Sequence, residues 1–201
     1  MTRSVVVVSA GLSAPSSTRL LADQLGTATD VALRSHGEAA DVSVIELRDL
    51  AHPLVDHLLT GFPTGDLAAA IELVRNADGL IVVTPVFAAS YSGLFKMFFE
   101  LLEKDLLRGK PVLLAATAGT ARHSLVLEHA LRPLFSYLRA VTVPTAVFAA
   151  TEDFGGAQSG ELADRVKTAA GELADLVVGA PRAVPADPFD NVTPFDQLLR
   201  G

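Results

Sequence analysis

At 201 residues, 50% of them hydrophobic and 19% charged, the chain carries enough apolar material for one well-buried domain of moderate size. Sixteen Lys and Arg against twenty-three Asp and Glu give a net charge of −7, and no basic run or stripe stands out, which argues against nucleic acid and anionic membrane as partners. Cysteine is absent, so disulfides, thiolate metal sites and cysteine nucleophiles are excluded together.

The chain runs from Met1-Thr2-Arg3 straight into a strand, leaving no room for a signal peptide, and no apolar run reaches the length of a membrane span. A soluble cytoplasmic protein is therefore expected. The first strand is the β-branched run Val5 to Val8, of the kind buried on both faces of a parallel sheet, and it stops at Ser9-Ala10-Gly11. A hydroxyl-rich loop follows, and Ser13, Ser16, Ser17 and Thr18 lead into a helix expected over 18–35. Side-chain oxygens and free backbone amides at a helix start suit an anion. There is no Gly-Lys-Ser/Thr ending and no three-glycine fingerprint, which disfavours a nucleoside triphosphate or a pyrophosphate. A single terminal phosphate of FMN type, with Arg19 nearby, fits better. Taken alone, the loop is equally an ordinary turn whose serines cap the helix.

Further along, 41–46 alternates as a second strand, and 47–65 reads as a long connection with two prolines, two glycines, His52 and His57. Asp66 can cap a helix to Arg75, before a third strand over 80–84. The segment Pro85-Val-Phe-Ala-Ala-Ser-Tyr-Ser-Gly93 is turn-rich and precedes an apolar helix over 94–104. A fourth strand, 111–116, ends in Thr117-Ala-Gly-Thr120 before a helix over about 124–138. A fifth strand spans 141–150, a last helix 160–178, and the tail from Ala180 to Gly201 holds four prolines. The domain is thus expected over 1–179, with a proline-rich tail over 180–201, either disordered or laid on a neighbouring subunit.

Alternation of strands with helices implies an α/β fold with a mostly parallel sheet wound on both faces. Ligands of such sheets sit beyond the carboxyl ends of the strands, where strands one, three and four all finish in small, hydroxyl-bearing or proline-containing loops. That convergence favours a ligand site over mere capping.

Three segments, SAGLSAPSSTRLL, TPVFAASYSGLFKMFFELL and ATAGTARHSLVLEHALRPLFSYLRA, together resemble the NAD(P)H-dependent FMN reductase family, in particular the reductases of two-component alkanesulfonate and luciferase-like flavin monooxygenase systems. The resemblance covers about 4–150 and implies a flavodoxin-like three-layer sandwich with a five-stranded parallel sheet. It implies that Ser9, Ser16, Ser17 and Thr18, with Arg19 a weaker candidate, surround the FMN phosphate. Pro85, Val86 and Phe87 look like the family's Pro-Val-Tyr beside the ribityl chain and isoalloxazine. Thr117, Ala118, Gly119 and Thr120 stand where a Thr-Gly-Gly-Thr loop meets the pyrimidine edge. Two departures matter: Phe87 for Tyr removes a hydroxyl, and Ala118 for Gly requires a negative φ there. Related reductases can carry a π-bulge in the helix that here contains His129, so that position is either a bulge or a plain helix histidine at a subunit contact.

What the resemblance implies is NAD(P)H:FMN oxidoreductase activity with FMN and NADPH or NADH as cofactors, reduced FMN passing to a luciferase-like flavin monooxygenase, and a homodimer or homotetramer. Hydride transfer between nicotinamide and flavin needs no acid, base or nucleophile, so no catalytic residue is named. Small residues at Ala88, Ala89, Ser90, Gly119 and Ala121 would leave one ring face open to nicotinamide. The rival reading is an FMN-containing quinone or azo reductase with tightly held flavin. An electron carrier of flavodoxin type is less favoured because the chain has no Trp and only Tyr91 and Tyr137 to stack on a flavin. A receiver-type domain would need acids where Ser9-Ala10-Gly11 stands. His52 and His57 are expected in an exposed loop rather than on a metal. Phe95, Phe98 and Phe99 are expected as core or subunit packing. Of Arg122, Arg132 and Arg139, only Arg122 lies beside a ligand loop where it could meet the extra phosphate of NADPH.

Overall fold

The structure, a computed structural model, describes residues 2–155 and 159–180. The proline-rich tail expected after Ala180 lies outside the described residues. Strand β1 (Thr2–Ser9) leads into α1 (Ser17–Ser35), then β2 (Ala39–Glu46), a 3₁₀ turn (Leu47–Leu50), α2 (Ala51–Thr60) and α3 (Gly65–Asn76). Next come β3 (Gly79–Phe87), β4 (Ser90–Tyr91), α4 (Gly93–Glu100) and β5 (Pro111–Ala118). A π-helical turn (Leu127–Leu131) runs into α5 (Arg132–Tyr137), followed by β6 (Val141–Thr142), β7 (Val147–Ala150) and α6 (Ser159–Gly179).

The sheet order is β2-β1-β3-β5-β6, with every neighbour in that series parallel, β7 also parallel beside β5, and β4 folded back antiparallel on β3. Side chains alternate across it. Val6, Val8, Leu80, Val82, Val112 and Leu114 face one core with α3, α4 and α5, whereas Val5, Val7, Ile81, Val83 and Leu113 face α1 and α6. Both faces are covered, so Val5 to Val8 are fully buried, as a continuous β-branched run demands. Phe95, Phe98 and Phe99 are core side chains: Phe95 and Phe99 stand 4.7 Å apart, and Phe99 meets Phe135 edge-on at 4.9 Å.

Three local expectations are corrected, and of the two alternatives left open at His129 the π turn is the one present. The stretch 47–65 is not a long loop, because Pro53 sits in the first turn of α2, where its missing N–H would have no intrahelical partner anyway. His57 on that helix is buried rather than loop-exposed, while His52 is exposed. The fifth strand is split into β6 and β7 at Pro144, which cannot donate to the ladder, and Arg132 bonds Thr142 Oγ1, Val143 O and Pro144 O across the break. The expected helix over 124–138 contains the π turn, in which Arg132 N reaches back five residues to Leu127 O. Pro133 accounts for it: the ring crowds the carbonyl four residues back, at His129, and widening the turn ahead of the proline relieves the clash.

Candidate functional site

The carboxyl ends of β1, β3 and β5 are held side by side by register, Ser9 opposite Val83 and Pro85 opposite Thr117, with Ala10 N donating to Val83 O at 2.9 Å. Three loops leave from that edge. The first, from Ala10 to Ser16, closes tightly: a Cβ built on Gly11 would lie 2.1 Å from Ser16 Oγ. Ser16 is the N-cap of α1 and its Oγ accepts from Arg19 N at 3.2 Å. Among the described residues, the amides of Leu12, Ser13, Ala14 and Ser17 carry no hydrogen bond. At the foot of this loop Ser9 is fully buried and its Oγ has no partner, an arrangement that costs stability unless something else completes it.

Thr18 and Thr117, both buried, join through a 2.8 Å hydroxyl bond that ties the start of α1 to the end of β5. The phosphate-loop and Thr117–Thr120 segments named from sequence are therefore brought together. Ala118 ends β5 and is absent from the positive-φ residues, so the alanine meets the condition set for it. Gly119 and Thr120 are exposed beyond it, and Ser17 is exposed at the helix start.

Around the third strand, Pro85 is buried, Val86 partly buried, and Phe87 about half exposed at 49%. Phe87 pairs with Ser90 in a hairpin whose two turn residues, Ala88 and Ala89, have φ of 49° and 67°. Two left-handed residues in a two-residue turn give the twist that a tight hairpin needs, but a Cβ at each makes it strained. Thr84 pins the hairpin in place: its Oγ1 accepts from Ser92 N at 3.0 Å and donates to Pro85 O at 2.9 Å. Ser92 then caps α4 by accepting from Phe95 N. Neither residue was singled out in the sequence, although a serine three places before the apolar Phe95 is a cap signal.

Arg19 does not point its charge into the loop. Its Nε donates to Asp23 Oδ1 at 2.8 Å and its Nη1 bonds Glu46 Oε1, and the bond to Asp23 leads in raising its pKa. Of the other arginines, Arg132 is committed to Glu128 and the β6 break, and Arg139 to Asp105. Arg122, in the 3₁₀ turn after β5, is exposed and forms no side-chain bond among the described residues. His129, at the centre of the π turn, is exposed.

Among the described residues no group of His, Asp and Glu could hold a metal ion, and no helix is long and apolar enough to cross a membrane. The donor set instead suits a small anion: an orphaned buried hydroxyl and unpaired amides at a helix start, with a half-exposed aromatic across the edge.

Comparison with known proteins agrees with that chemistry. A family model described as NADPH-dependent FMN reductase matches residues 3–155. The chain is 41% identical over 177 residues to a protein named FMN reductase (NADPH) from Pseudomonas aeruginosa, covering 87% of this chain and 92% of that one. It is 39% identical over 183 residues to NADH-dependent FMN reductase SfnE from Pseudomonas putida, covering 90% of each. The X-ray structure of an oxidoreductase from Corynebacterium diphtheriae matches with a TM-score of 0.87 at 54% identity, covering 90% of this chain and 99% of that one.

Proposed function

Since this chain belongs to the NADPH-dependent FMN reductase family, we propose that it moves a hydride from NADPH or NADH to FMN and hands the reduced flavin to a luciferase-like flavin monooxygenase in the cytoplasm. The observation that carries the reading is the fully buried, unpartnered Ser9 hydroxyl where β1 opens into a loop of unpaired amides. When bound, flavin would supply the hydride acceptor and nicotinamide the donor, so the protein is asked for position rather than for an acid or a base.

In this reading the Ser9, Ser16, Ser17 and Thr18 segment takes the phosphate through hydroxyls and amides. Pro85, Val86 and Phe87 would border the ring, and the backbone of Thr117, Ala118, Gly119 and Thr120 would hold its pyrimidine edge, with amides available to stabilise negative charge there. The tight turn at Ala88 and Ala89 puts only methyl groups at the hairpin tip, leaving room for nicotinamide to stack. Names of relatives support both nicotinamides, one being an NADPH and another an NADH enzyme. A homodimer or homotetramer is part of the reading, supported by apolar side chains in the open at Leu59 (79%) and Phe62 (74%), which a subunit contact would cover.

The test is the initial rate of NADPH oxidation with FMN, FAD and riboflavin in turn, repeated with NADH. FMN is expected to outpace riboflavin through the phosphate loop, and equal rates with both would remove that assignment. A purified protein that keeps its flavin and reduces quinones rapidly would point instead to a quinone reductase with resident FMN.

A further inference from the structure

Between Ser9 and Leu20 the only basic residue is Arg19, so it is the one side chain of the phosphate loop able to give a formal positive charge to a phosphate. It stands at the third position of α1, next to the unpaired amide of Ser17 and under the cap made by Ser16. Its guanidinium nevertheless lies between two carboxylates. Asp23 is one turn along α1, and Glu46 ends β2, where the parallel register sets it opposite Ser9. One cation shared by two acids leaves a net negative charge beside the loop, and both partners are part exposed, with side chains 50% and 25% accessible. Neither acid is needed to close the core or to cap a helix; Glu46 only reaches out from the strand end to take the guanidinium.

We propose that Asp23 and Glu46 hold Arg19 away from the flavin phosphate, so that the phosphate is gripped by neutral hydroxyls and amides alone and FMN is bound weakly enough to exchange. The inference rests on the reading of the loop as a flavin-phosphate site. It makes Asp23 and Glu46 positioning residues that act through Arg19 without touching the flavin. Their removal frees a guanidinium for a charge-assisted, two-pronged grip on the phosphate, which riboflavin cannot receive.

The experiment is fluorescence titration of FMN and riboflavin against wild type, Arg19→Gln, the double variant Asp23→Asn/Glu46→Gln, and that double variant with Arg19→Gln added. The urea midpoint of each protein confirms that the near-isosteric surface changes leave it folded. The double variant is expected to bind FMN about tenfold tighter, the size of one charge-assisted bond discounted for solvent. Riboflavin affinity should not change, and adding Arg19→Gln should erase most of the gain. Arg19→Gln alone should weaken FMN by no more than about twofold, since the charge it removes is already neutralised by its partners. A double variant with wild-type FMN affinity overturns the inference, as does a gain that survives Arg19→Gln, which would mean simple relief of repulsion. A roughly tenfold loss in Arg19→Gln alone also overturns it, by showing the guanidinium already on the phosphate. In each of those cases wild type still binds FMN saturably; absence of any saturable FMN binding by wild type removes the flavin-site reading and the inference with it.

Discussion

Replacing Gly11 by Ala should damage the loop in a way that reveals how its parts are coupled. The added Cβ would lie 2.1 Å from Ser16 Oγ, 3.1 Å from Ser16 Cβ and 3.2 Å from Thr18 Cβ. The first contact is impossible, so the Ser16 hydroxyl must swing away and its bond to Arg19 N is lost, at a cost of about 1 kcal/mol for an N-cap. The other two contacts press on the start of α1, where Thr18 is bonded to Thr117 at 2.8 Å, and weakening that buried pair adds up to about 1 kcal/mol more. A total of about 1–2 kcal/mol corresponds to a fall in Tm of roughly 2–8 °C for a chain of this size. Urea unfolding of Gly11→Ala, Ser16→Ala and the double variant gives the measurement. The cap bond can be lost only once, so the double variant should cost no more than Gly11→Ala alone, a departure from additivity. In steady-state kinetics the KM for FMN should rise more than that for riboflavin, because the loop disturbed is the one proposed to take the phosphate. Two single effects that simply add, or a Gly11→Ala protein with unchanged stability and unchanged FMN KM, would refute the argument.

Two other outcomes follow from strain and from charge. Ala88 and Ala89 hold φ of 49° and 67°, so Ala89→Gly removes a Cβ from a left-handed position and should raise unfolding free energy by about 1 kcal/mol, read as a higher urea midpoint; an equal or lower midpoint would deny the strain. Lys110 Nζ donates to the carbonyls of Val74, Arg75 and Ala77 at 2.9, 3.0 and 2.6 Å, satisfying the end of α3. Burial nonetheless pulls its pKa from 10.5 down to about 8, with Asp78 opposing the shift and Arg75 adding to it. Between pH 8 and 10.5 the unfolded chain then holds a proton that the folded protein has released, so wild type should gain stability relative to Lys110→Met across that window, with a constant offset below it. Urea unfolding of both proteins at pH 7, 9 and 10 checks this, and a difference that stays flat would show that the carbonyl bonds keep the ammonium charged.

The strands ending at the site were legible because their residues leave no choice: Val5 to Val8 satisfy both faces of a parallel sheet, and small residues must follow where the chain turns into α1. What escaped depended on partners far along the chain or on turns lacking their usual residues. The β3–β4 hairpin carries Ala88-Ala89 where Asn-Gly would have announced it, and it is held by Thr84 to Ser92, a bond that exists only once the strand has formed. Helix α2 was hidden by Pro53, read as a breaker although the first helical turn tolerates it. The π turn could be anticipated only through the resemblance at His129, since helical periodicity does not register one extra residue; Pro133 supplies its physical cause.

Arg19 shows the limit most clearly. Its i, i+4 partner Asp23 was visible in the sequence, but an exposed pair at that spacing contributes only about 0.3–0.5 kcal/mol, too little to decide where a long side chain goes. A second carboxylate, Glu46, reaches Arg19 because β2 pairs with β1 in a register that sets it opposite Ser9. What holds the Arg19 guanidinium therefore comes in part from the sheet order and not from the loop alone. A sequence bearing the same Ser16-Ser17-Thr18-Arg19 run with no acid at the end of β2 should offer its phosphate a free cation and bind FMN more tightly for that reason alone.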